Sequence, residues 1–177
     1  MFFDQEYEFK GKHAKYVNEL KTAIFNRNVD ILILAPIMGL VYNRRAQKDY
    51  SLELSTKVFA EQMNKEYKKI LFNYRLCMLL CDDNNDKEKI DNAFRYYTGD
   101  DEDHINTFNK NIDIYNSYIL GGVEVLYEIM LKNNEKYNGN NADDVKYKKE
   151  IISDVTEFIN DYKDQVKDYN TLTDLDL

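Results

Sequence analysis

Residues 100–104 read Asp-Asp-Glu-Asp-His, four carboxylates beside one of only two histidines in the chain. Such a set could ligate a divalent cation, and its carboxylates would raise the imidazole pKa. The second histidine, His13, lies far upstream, and no pairing of the two has a recognised metal spacing. A longer acidic run, residues 82–91, invites an EF-hand reading with Asp82, Asn84 and Asp86 at the first, third and fifth positions. It fails, because Lys87 stands where glycine is needed and Ala93 where the bidentate glutamate belongs. Cys77 and Cys81 are four apart, on one face of any helix, but no further Cys/His pair completes a zinc site, so they read as buried free thiols.

Nucleophilic and phosphate chemistry fare no better. The chain holds no Gly-x-Ser-x-Gly elbow, no phosphate-cradling glycine loop and no His-Glu-x-x-His pair. "EYK" at 66–68 has part of a nuclease spelling but falls inside an expected helix. Helical ribonucleases of the HEPN kind are similar in being small α-bundles, but they carry Arg and His four to six residues apart, and Arg95 and His104 are spaced too widely. No enzyme, cofactor or metal is expected.

What remains are two stretches with unusual juxtapositions. "VDILILAPIMGLVYNRR" runs an apolar segment through Gly39 into Asn43, Arg44 and Arg45, and "NSYILGGVEVLYE" sets Gly121 and Gly122 among large apolar residues ahead of Glu124. Glycines at such places permit close approach of another backbone, so Gly39, Gly121 and Gly122 are candidates for tight helix packing. Arg44 or Arg45 could pair with Glu124 inside the fold, or could grip a partner's carboxylate or phosphate bidentately. Asn43, Arg44, Arg45 and Glu124 are therefore the candidate partner-binding residues.

The elements that must position them follow from periodicity. At 177 residues, 44% of them hydrophobic, the chain suits one domain with a real core. Residues 11–25 suggest an amphipathic helix. Residues 29–41, a continuous apolar run that could be a buried strand or a buried helix, read better as a helix capped by Asn28, with a break or kink near Ala35–Pro36, since an interior proline costs ~3 kcal/mol or more. The stripe Phe59, Met63, Tyr67, Ile70, Tyr74, Cys77 and Cys81 predicts one long central helix over 56–81. A short helix follows, with Ile90 and Phe94 on its apolar face. A second long helix spans 105–132 and is expected to bend at Gly121–Gly122, because each interior glycine costs about 1 kcal/mol relative to alanine. Residues 133–144 read as a linker, 145–166 as a last helix, and 167–177 as a frayed acidic tail. The prediction is a single all-α, bundle-like domain of five or six helices over residues 1–166.

A net charge of −8 argues against broad attraction to nucleic acid or anionic membrane. The longest apolar run, residues 31–41, is far short of the ~20 residues that span a bilayer, and no leader pattern opens the chain, so a cytoplasmic protein without membrane contact is expected. Fifteen tyrosines suit half-buried and interfacial positions.

The two glycine-bearing stretches together resemble the small accessory proteins encoded beside bacterial DNA phosphorothioation (Dnd) systems, in the Dnd system-associated protein four group. That group is similar in an apolar segment ending in glycine and basic residues, and in a Tyr-x-x-Gly-Gly-aliphatic-Glu stretch matched by residues 118–124. The resemblance implies a phage-defence neighbourhood and an accessory, non-catalytic role with another protein of the same system as partner. Two other readings stand beside it. Lys48, Lys65, Lys68, Lys69 and Arg75 could form, with the two arginines, a local nucleic-acid face, or the acidic runs could mimic DNA toward a basic enzyme.

Overall fold

The computed structural model describes residues 5–81, 85–95 and 102–132, together with 149, 152, 153 and 156. The expected linker and tail, and nearly all of the last helix, lie outside the described residues, as do Asp82, Asp83, Asp100 and Asp101.

The first element was not expected. "YEFK" alternates apolar with polar, and forms strand β1 (Tyr7–Lys10), burying Tyr7 and Phe9. Gly11 then turns the chain sharply, with φ +57°, into helix α1 (Gly11–Ala23), whose inward face is His13, Ala14, Val17, Leu20 and Ala23. Helix α2 (Asn28–Val41) turns away from α1 by 114°. It is one helix with Pro36 inside it, so the expected break is absent. The lost hydrogen bond is offset by packing, because α2 is the true centre of the fold, in contact with α1, α4, α6 and the small sheet. Asn28 does not cap α2: Arg27 occupies the cap position, and the Asn28 amide donates to the Lys57 carbonyl at 3.0 Å.

The long helix expected over 56–81 is three elements. Strand β2 (Ser55–Val58) pairs antiparallel with β1, setting Tyr7 opposite Val58 and Phe9 opposite Thr56. Helix α3 (Ala60–Lys65) and helix α4 (Tyr67–Leu80) are separated at Glu66, whose carboxylate is held by Arg27 at 3.0 Å and Lys69 at 2.7 Å. Met63, Ile70, Tyr74, Cys77 and Cys81 are buried as one stripe, whereas Phe59, outside α3, is 57% exposed. Both cysteines are free thiols, and burial pushes the Cys77 thiol well above its ordinary pKa.

Helix α5 (Asp86–Phe94) opens on a reciprocal cap between Asn85 and Glu88, which gives part of the acidic run a helix-starting role. Its expected apolar face is not inward: Ile90 and Phe94 are exposed, while Asn92 and Ala93 are buried. Helix α6 (Glu102–Tyr127) is unbroken at Gly121–Gly122 and widens only afterwards, into a π-helical turn over Glu128–Lys132. The fold is all-α and bundle-like, six α-helices and one two-stranded sheet among the described residues.

Candidate functional site

The close contact of α2 with α6 organises everything around it. A β-carbon at Gly122 would sit 1.7 Å from the Ala35 carbonyl oxygen, one at Gly39 would sit 2.3 Å from the Tyr118 carbonyl oxygen, and one at Gly121 would sit 2.1 Å from the Arg44 carbonyl oxygen. Three glycines thus let two backbones touch, a distance no side chain permits. The contact offsets the helix cost of the two glycines, so α6 continues unbroken through them.

The same approach fixes the residues that follow α2. Asn43 takes φ +45°, a left-handed conformation that asparagine tolerates better than most, and the chain reverses so that the Arg44 amide donates to the Gly39 carbonyl at 2.7 Å. The Arg44 guanidinium then forks onto Glu128, at 2.5 and 3.1 Å, and reaches Glu124 at 3.4 Å. Arg45 lies 4.6 Å from the centre of the Tyr118 ring and donates to its hydroxyl at 3.0 Å. Both arginines are therefore engaged within the fold, and only Asn43 of the four candidates is exposed without a part in this network.

Glu124, with a side chain only 11% exposed, is the hub. It accepts from Lys12 at 2.8 Å and from His13 at 3.1 Å besides Arg44. His13 is fully buried, and its Nδ1 has no hydrogen-bond partner among the described residues. Two further groups complete the frame. Asp49 accepts the Lys12 amide at 2.6 Å and the Ser51 hydroxyl at 2.8 Å, so a distant loop caps α1. Tyr16 of α1 and Tyr127 of α6 stack, ring centres 4.0 Å apart.

Sequence reasoning missed Lys12, Asp49 and Glu128 here, and weighed His13 only as a metal ligand. A signal existed for Glu128: like charges four apart on a helix repel, so the Glu124–Glu128 pair calls for a cation between them. Nothing local announces Asp49.

The cluster also sets a pH response. Burial holds the His13 imidazole below its ordinary pKa, outweighing Glu124. Burial pushes the Glu124 carboxyl up, but Lys12 and His13 together hold it below the usual carboxylate range. Unfolded, the two groups take up protons near ~6.5 and ~4.3, whereas folded they resist. Their contribution to stability is thus present above about pH 6.5 and is lost as pH falls through the folded pKa values. The urea midpoint is expected to decline from about pH 6.5 downward, and in His13→Gln to stay level to about pH 5.5; a level wild-type curve over that interval would take His13 out of this account.

The proposed cationic face is not gathered in one place. Lys65 pairs with Glu61 and Lys69 with Glu66, near the N-terminal end of α2 through Arg27, whereas Arg44 and Arg45 follow its C-terminal end. Fourteen residues of helix separate the two groups by about 21 Å. Arg75 lies over the Phe94 ring, and Lys48 and Lys68 are exposed.

Compared with protein-family models, curated proteins and solved structures, the chain gives no significant match. No single helix among the described residues is long and apolar enough to cross a membrane.

Proposed function

We propose that the chain is a non-catalytic, protein-binding accessory subunit of a multicomponent bacterial system, cytoplasmic and of the antiviral kind that the Dnd resemblance implies. One observation carries the binding role: the thirteen-residue connection over 42–54 has no regular structure but is pinned along its length. Arg44 holds it to Glu128, the Ala46 amide to the Ser117 carbonyl, Asp49 to Lys12, and the Leu54 carbonyl to the Gly11 amide. Irregular connections this long in a compact domain are uncommon and usually functional.

Between those pins the loop turns apolar side chains outward. Tyr50 is 69% exposed, and Tyr42, Leu52 and Leu54 also face solvent. Tyr50, Leu52 and Leu54 rim a depression of about 370 Å³ that reaches Glu8 and Lys10 on β1. Aromatic and aliphatic anchors held on a rigid support lose little entropy on binding, which is the property of interface hot spots. In this reading Arg44, Arg45 and Glu124 serve the partner indirectly, by holding the loop, and the contact itself belongs to Tyr50 and Leu52, whereas Asn43 lines a different depression, between α2 and α4.

The test is affinity purification of the tagged chain from its native host, with and without nuclease. A stoichiometric protein partner that survives nuclease is expected, with recovery at least about tenfold weaker for Tyr50→Ala combined with Leu52→Asp, at unchanged melting temperature. Recovery of nucleic acid alone would favour the cationic reading instead, and a bare monomer would sink the accessory role.

A further inference from the structure

Helix α5 turns amides inward where an ordinary packing helix turns apolar side chains. Ile90 and Phe94 face solvent, while Asn92 is 7% exposed and Asn111, on α6, is 2% exposed. Departures from the apolar pattern gather at functional sites. Here the two asparagines border one cleft of about 410 Å³, within the range of about 300–1,000 Å³ usual for ligand pockets. Glu88, Asp91 and Asn92 line it from α5, and Thr107, Lys110, Asn111 and Ile114 line it from α6. On each helix these residues recur three and four apart, so each wall is a single helical face.

The walls differ in chemistry. From α5 come two carboxylates, and from α6 come donors: the Lys110 ammonium, the Asn111 amide and the Thr107 hydroxyl. Glu88 accepts the Asn85 amide at 3.4 Å, and Asp91 meets Arg95 at 3.7 Å, so neither is tightly held. Lys110 pairs with no carboxylate among the described residues, although two line the same cleft.

The buried amides add a second observation. The Tyr74 hydroxyl donates to the Asn92 carbonyl at 3.1 Å, and burial pushes its pKa up to about 12 against an opposing pull from the Asn111 amide. Asn111 Nδ2 nevertheless completes no hydrogen bond among the described residues. A buried donor in that state is costly, and an acceptor entering the cleft removes the cost. A carboxylate suits this position, because an amide N–H and an ammonium both donate to it. The opposite wall suits an ammonium. With Ile114 the one apolar lining residue, recognition falls on these charges rather than on a large apolar side chain.

We propose that the α5–α6 cleft binds a small amino-acid zwitterion, its carboxylate on Lys110 and Asn111 and its ammonium on Glu88 and Asp91. The site shares no residue with the 42–54 loop, and its test needs no protein partner.

Heteronuclear amide spectra of the full-length chain would be recorded with individual L-amino acids and with γ-aminobutyrate, following the side-chain amide of Asn111. At least one of these probes is expected to shift that resonance saturably. Its N-acetyl derivative and its carboxamide, each lacking one charge, should bind at least about tenfold more weakly. Lys110→Gln and Glu88→Gln should weaken binding by the same order. Both positions are exposed, and glutamine still serves the Asn85 cap, so the melting temperature of the free chain should not move. A derivative lacking either charge that binds as tightly as its parent would overturn the zwitterion. Affinity indifferent to both substitutions, or an Asn111 resonance unmoved by every probe, would overturn the site.

Discussion

A Gly122→Ala chain is expected to lose at least ~3 kcal/mol of stability and to melt about 6–12 °C lower, if it folds cooperatively at all. The reason is what stands opposite. The added carbon would lie 1.7 Å from the Ala35 carbonyl oxygen and 2.9 Å from the Gly39 nitrogen, and backbone atoms cannot swing aside as a flexible side chain would. The two helices have to separate, which also draws Tyr118 off Gly39 and Arg44 off Gly121. The sign is diagnostic. In an ordinary helix interior the same substitution stabilises by about 1 kcal/mol, so a melting temperature that stays level or rises would show that α2 and α6 are not in backbone contact.

Glu124→Ala is expected to cost ~3 kcal/mol, the lower end for breaking a buried ion pair, since Lys12 and Arg44 retain some access to water. Arg44→Ala should cost less, about 1–2 kcal/mol, because Lys12 and His13 still serve Glu124. The two losses should not add. Denaturant titration of the two single variants and the double should give a coupling of about 1 kcal/mol, as for residues in one network. Strict additivity would mean that Arg44 acts only through Glu128.

How far these features were legible in the sequence depends on range. The glycines were readable, because their cost in a helix demands a compensating contact, and the core positions of α1 and α6 followed from spacing. The break at Glu66 was not, since "FAEQMNKEYKKI" contains neither proline nor glycine and its apolar spacing continues across the interruption. What ends α3 is tertiary, the grip of Arg27 on the Glu66 carboxylate. Strands β1 and β2 are four residues each, too short for a period of two to stand out, and β2 forms because β1 is there to pair with it. Pro36 misled for the converse reason: its local cost is real, but α2 is held on several sides by packing that no local window contains. In the polar cluster, Arg44 and Glu124 could be suspected as a pair, whereas Lys12 and Asp49 are brought to it only by the course of the loop.

The cap on α1 bears on how the chain is made. The Gly11 amide is satisfied by the Leu54 carbonyl, and the Lys12 amide by Asp49, 37 residues further on. A helix with its own cap can complete its first turn as soon as it leaves the ribosome; α1 has none and must wait for residues not yet translated. During vectorial synthesis the β1–α1 corner therefore closes only after residue 54 has emerged, so this corner settles later than its place in the chain would suggest.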